Sequence, residues 1–120
     1  MRLIDTLLRV ASAEQGPFRA QLLREDVERL RTLQTLARSG PDLAHFKKAG
    51  MRIGWTQGDL RTHELRAPLE ALLEAVYACE TGSAGEDAED RIEAAWRELH
   101  RTRLERLVGC LSTAVPKPAD

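Results

Sequence analysis

Three histidines, two cysteines and nineteen carboxylates are the side chains in this 120-residue chain that could carry chemistry. Their spacing decides whether they do. Asp42 and His45 lie three residues apart, which sets two possible metal ligands on one helical face. A zinc site takes three or four ligands. The sequence holds no HExxH, no paired ExxH and no Cys/His cluster, so zinc and di-iron chemistry are not expected and no cofactor is implied. No serine stands in a GxSxG context, so no nucleophile elbow is indicated. The stretch from Gly50 to Gly58 matches neither GxGxxG nor GxxxxGKS/T, so no phosphate cradle is indicated. The expectation is a protein that is not an enzyme, with no catalytic residues to name.

His100 is the histidine with the most informative surroundings. At 100° per residue it falls between Trp96, Leu104 and Leu107, on the apolar face of a helix, with Arg103 on the same seam. It reads as a buried polar residue, satisfied within a core or an interface. An imidazole so placed is also the side chain that would make a contact pH-sensitive or bind a haem iron.

The elements that must position these groups follow from hydrophobic spacing. Leu3, Ile4, Leu7, Leu8, Val10 and Ala11 predict a helix over about 2–13 with a broad apolar stripe. Gly16-Pro17 breaks and restarts the chain, with Pro17 suited to a first helical position. Phe18, Leu22, Leu23, Val27, Leu30, Leu33 and Leu36/Ala37 predict a second helix over about 17–39, with Arg24, Glu25, Glu28, Arg29 and Arg31 on its outer face. Ser39-Gly40-Pro41-Asp42 stops it, and Asp42 can cap a short helix over 42–49.

Residues 50–58 read differently. Met51, Ile53 and Trp55 alternate with Arg52 and Gly54, a period of two. Three interior glycines would cost a helix about 3 kcal/mol relative to alanine. An irregular glycine-containing loop or a short extended segment is expected there. A third main helix runs from about Asp59 to Glu80, restarted or kinked at Pro68. Thr81 to Gly85 form a turn, and a last helix covers about 87–111, capped by Asp87 or a neighbour. Residues 112–120, with two prolines, read as a loose tail. The fold expected is all-α: an antiparallel bundle of four main helices plus a short one, in a single domain over 1–111. The first helix is too short to stand alone and must pack on its own domain or on a partner.

Thr56-Gln57-Gly58-Asp59-Leu60 resembles the start of the second helix in repressor-type helix-turn-helix domains. The resemblance ends there, because Leu65-Arg66-Ala67-Pro68 stands where the recognition helix should begin, and the chain is not assigned to that family.

The net charge of −1 argues against bulk attraction to nucleic acid. Basic residues are 15 Arg against 3 Lys, a bias of the kind that GC-rich coding produces, as in many bacteria. The charges are segregated along the chain: residues 67–90 carry seven acids and no base. From these, Glu80, Glu86, Asp87, Glu89 and Asp90 make an acidic corner. Leu43 to Gly58 carries Lys47, Lys48 and Arg52 and no acid, interleaved with Phe46 and Trp55.

The function expected is a helical protein–protein interaction module, an adaptor, assembly subunit or small regulator. Its partner is another protein or a second copy, met through the basic group Phe46, Lys47, Lys48, Arg52, Trp55 and through the acidic corner. An alternative is a small nucleic-acid-binding subunit using Lys47, Lys48, Arg52, Arg61, Arg97, Arg101 and Arg106. A further alternative is an enzyme or ligand carrier with a pocket between helices, raised by convergent polar groups near His63 or His100.

No apolar run reaches the roughly 18–20 residues of a membrane span. Asp5 and Arg9 interrupt what would be the apolar part of a signal peptide, so a cytoplasmic protein is expected. Cys79 and Cys110 fall near the ends of helices of a hairpin, about 30 Å apart at ~1.5 Å per residue. Two free thiols are expected.

Overall fold

The computed structural model describes the backbone of residues 1–53, 63–83 and 85–114, and the side chains of 1–53, 65–83 and 85–105. Its elements are all helical: α1 (Arg2–Ala13), α2 (Pro17–Arg38), α3 (Leu43–Gly50), α4 (His63–Glu80) and α5 (Ala88–Ala114). The architecture is a bundle of four main helices plus a short one, as the hydrophobic spacing predicts.

Local chemistry sets most of the boundaries. Pro17 opens α2 behind an extended Gly16, where its missing N–H costs nothing. Gly40, at φ +90°, turns the chain after α2. The Asp42 carboxylate accepts the His45 backbone N–H at 2.8 Å and caps α3. After α4, Gly82 at φ +74° lets its own N–H reach the Cys79 carbonyl and the Ser83 N–H reach the Ala78 carbonyl. That pair of bonds closes the helix end and reverses the chain into α5. The Asp87 carbonyl accepts the Arg91 N–H, which makes Asp87 the first cap of α5.

One boundary differs from the sequence reading, and residues 51–53 decide between the two alternatives expected for 50–58 in favour of the loop. The last helix continues to Ala114, so residues 112–114 belong to α5 rather than to a loose tail. The leucine pattern ends at Leu111, but Ser112, Thr113 and Ala114 hold no breaker, and the first proline comes only at 116. Residues 51–53 are not extended. Arg52 N–H reaches the Ala49 carbonyl and Ile53 N–H the Gly50 carbonyl, which winds them into a turn that continues α3. Residues 54–62, with Trp55, Arg61 and the Thr56–Leu60 stretch, and residues 115–120 lie outside the described ones.

Chain directions follow from side-chain pairs. Gln34 and Arg38 of α2 meet Glu80 at the end of α4. Gly50 lies against Leu33 of α2 and Leu73 of α4. Both sets of numbers rise together, so α2 and α4 run in the same direction. α1 pairs with α2, and α4 with α5, as antiparallel neighbours across short connections. Gly50 has a packing reason to be glycine, since a Cβ there would overlap the Leu73 side chain and crowd Leu33.

The core lies between α2, α4 and α5, where Leu30, Leu33, Leu65, Leu69, Leu72, Leu73, Val76, Ile92 and Leu99 are fully enclosed. At about 25 cal/mol per Å² of buried apolar surface, these leucines are the main source of stability. α1 adds Leu3, Ile4, Leu7 and Ala11 to the same core. Among the described residues no helix is long and apolar enough to cross a membrane.

Candidate functional site

The charges that are segregated in sequence meet each other in the fold. Lys47 Nζ lies 2.6 Å from Glu74, which keeps the ammonium pKa above its usual value. Glu80, only 10% exposed in its side chain, accepts from Arg38 Nε at 2.7 Å and Gln34 at 3.0 Å. Arg2 reaches Asp90 with its guanidinium and Glu89 with its backbone N–H. Asp87 takes Arg91 at 3.0 Å, which holds its carboxyl below the usual range. Arg97 pairs with Glu93, and Arg101 with Glu98 and Glu105, all on α5 itself.

This corrects part of the expected docking surface. Phe46 is fully buried, its ring 5.3 Å from that of Tyr77, so it serves the core and no partner can touch it. Its place beside two lysines made it prominent in the sequence, but adjacent residues of a helix point to different faces, and Phe46 takes the inward face of α3. Glu80 and Lys47 are likewise spent on internal contacts. Lys48, Arg52 and Glu86 remain exposed. The side chains of Arg106 and His63 lie outside the described ones.

A different region gathers polar groups that the expected patches do not include. Asp26 of α2 is completely buried. Its two oxygens accept from Trp96 Nε1 at 2.8 Å, from Arg103 Nη1 and Nη2 at 3.0 and 2.6 Å, and from Arg29 at 2.9 Å. The fork of Arg103 matches the carboxylate edge to edge, the geometry that makes a buried ion pair tolerable. Arg103 is itself buried, and its Nε has no partner.

His100 completes the cluster. Its ring stacks on Trp96 at 4.7 Å and 14°. Its Nδ1 lies 3.2 Å from Arg103 Nη2. A guanidinium can only donate, so Nδ1 is the acceptor and the ring proton sits on Nε2. Burial, then the guanidinium of Arg103, pushes the imidazole pKa down; Asp26 opposes this and Arg19 adds to it. His100 therefore stands as a neutral ring in a locally positive field. The sequence reading places His100 and Arg103 on one seam beside Trp96, and the structure brings them together there.

Above this cluster lies a groove of about 390 Å³ between α1 and α5. Its walls are Leu3, Leu7 and Val10 of α1 and Trp96 and Leu104 of α5, with Leu23 of α2 beneath. Arg19, Arg97, His100, Glu14 and Glu93 border it. Val10 is 44% exposed, an apolar side chain left open at the rim. The groove exists because the apolar arc of α1 is wider than the face that α2 covers. Seven apolar residues in twelve wrap roughly half of α1, as its sequence shows.

Asp26 and Arg19 were not singled out from the sequence. A signal for Asp26 was present, since it sits three residues after Leu23 and four before Leu30, on the buried stripe of α2. Arg19 carries no such mark.

A second groove, of about 630 Å³, is lined by Ala71, Ala75 and Ala78 of α4 and Ala94 and Ala95 of α5. Among the described residues no three His, Cys, Asp or Glu side chains converge as a metal site would require. Cys79 is a free thiol whose pKa is pushed up by burial and by Glu89 and Glu80, which makes it a poor nucleophile. No family model, no curated protein and no solved structure matches this chain.

Proposed function

We propose that this chain is a non-enzymatic helical interaction module that docks through the α1–α5 face, and that its partner is a second copy of itself. The observation that carries the reading is the rim of the groove. It is apolar within and bordered by Arg19 and Glu14, of opposite sign, beside the mutually paired Arg97 and Glu93. A two-fold interface presents the same patch to itself, so it needs both signs on one face. The exposed Val10 supplies apolar area beside them. Lys48 and Arg52, exposed on the far side of α3, are left for a second contact.

Nucleic acid is the less supported partner. Arg97 and Arg101 already face acids on their own helix, and a phosphate contact would have to break those pairs.

Sedimentation across a range of concentrations tests the proposal. The expected result is a dimer that Val10→Glu converts to monomer, while Lys48→Glu with Arg52→Glu leaves it intact. A wild-type chain that stays monomeric at every concentration overturns the reading. So does a dimer lost on reversing Lys48 and Arg52, which would move the interface to α3. Tight, steeply salt-dependent capture of a single-stranded oligonucleotide would favour the nucleic-acid reading instead.

A further inference from the structure

The floor of the α1–α5 groove has hydrogen-bond donors to spare, and each of its acceptors is engaged at least once, Glu14 through one oxygen only. His100 Nδ1 receives from Arg103, and its Nε2–H has no partner among the described residues. Arg19 is exposed beside it and makes no ion pair among the described residues. The other polar groups are committed. Glu93 holds Arg97 and Arg2, Glu14 accepts the Gly16 backbone N–H at 3.2 Å, and the Thr6 hydroxyl donates to the Arg2 carbonyl. Trp96 Nε1 is spent on Asp26.

We propose that this groove binds a single-chain amphiphile ending in a carboxylate. The chain lies along Leu3, Leu7, Val10 and Leu104, and the carboxylate accepts from His100 Nε2 and Arg19. The volume, about 390 Å³, falls at the lower end of the range that holds small molecules. It is far too small for a helix. The chemistry of the head group follows from the donors. A carboxylate only accepts and matches a guanidinium fork. An ammonium head could meet Glu14 but would leave Arg19 and the His100 N–H unanswered, and an alcohol would leave the Arg19 charge unanswered. Burial first, then Arg103 and least Arg19, hold the imidazole pKa down against Asp26, and an anion set against His100 and Arg19 offsets the part that the arginines contribute. The site does not rest on self-association, and because Val10 and Arg19 belong to both surfaces, laurate and a second copy compete for them.

Laurate is the probe, titrated by calorimetry below its micelle concentration, with dodecyltrimethylammonium as the control of opposite charge. Saturable one-to-one binding of laurate is expected, with the ammonium binding at least about tenfold more weakly. Arg19→Ala, a change at an exposed position, weakens laurate about tenfold or more, as loss of a charge-assisted bond does. Lys48→Ala leaves it unchanged. Nitrogen-15 spectra of the imidazole then show the His100 titration moving up on laurate binding, with Arg103, Arg97, Asp26, Arg19 and Glu14 as the charges around it. Equal binding of both amphiphiles, or indifference to Arg19→Ala, overturns the proposal by reducing the site to an oily surface. Absence of saturable laurate binding overturns it outright. Sedimentation with and without laurate separates the two readings: a chain that is monomeric on its own yet binds laurate upholds this site and removes the dimer, and a dimer that ignores laurate does the reverse.

Discussion

On the side it shares with α4, α5 contributes Ile92 and Leu99 to a core of Leu65, Leu69, Leu72, Leu73 and Val76, all enclosed and without a polar atom among their side chains. On the side it shares with α2, it contributes Trp96, His100 and Arg103 to a single buried carboxylate. The first seam is held by area, which is indifferent to small shifts along the helix. The second is held by three directed bonds from α5 to two oxygens, which a shift of one residue would break. The comparison teaches that stability and register are supplied by different faces of one helix. The groove opens on the face that supplies register.

The sharpest way to break the comparison is to remove the carboxylate. Asp26→Ala leaves the Arg103 charge buried without an answer and should destabilise the fold by about 3–5 kcal/mol in denaturant unfolding. Joining Asp26→Leu with Arg103→Met should recover most of that loss, since an apolar pair of similar volume is often neutral. A double variant as unstable as the single would show that the bonds to Trp96 and Arg29 matter more than the ion pair. Leu72→Ala, on the other seam, should cost about 2–5 kcal/mol, and no second substitution of a charged residue should rescue it.

A smaller effect comes from pH. The folded pKa of His100 lies below the ordinary 6.5, with burial as the first cause. Between those two values the unfolded chain binds more protons than the folded one. Stability should therefore be complete above about 6.5, fall as pH drops through that value, and flatten below the folded pKa. His100→Gln should remove this part of the pH dependence, and an unchanged slope would assign it to other groups. The smallest effect belongs to the acidic corner. Arg38→Ala removes the exposed guanidinium from Glu80 and should cost under about 1 kcal/mol, less at high salt. A larger loss would mean that charge pairing, and not the leucine core, secures that end of the bundle.

Much of the fold could be read before any coordinates, for a reason visible in α1 and α2. Their start and stop signals, Gly16-Pro17 and Ser39-Gly40-Pro41, and their apolar stripes act within a few residues. The site was less legible because its bonds span long separations. Asp26 meets Trp96 and Arg103 across 70 and 77 residues, and Lys47 meets Glu74 across 27. Periodicity shows which face of a helix is buried, not which helix covers it. His100 and Arg103 were readable together because they share one helix; the carboxylate that binds them does not.

The buried carboxylate also decides how the bundle could open. Arg103 and Trp96 fasten α2 to α5 at one point near the middle of both rods, like a pin through crossed staves, so neither slides past the other without stranding a charge. α1 has no such fastening along its middle: it is tied to the start of α5 through Arg2 and to α2 through a three-residue link. Any widening of the bundle to admit a guest would therefore be a swing of the first helix away from the last, with α2 and α5 left locked in step.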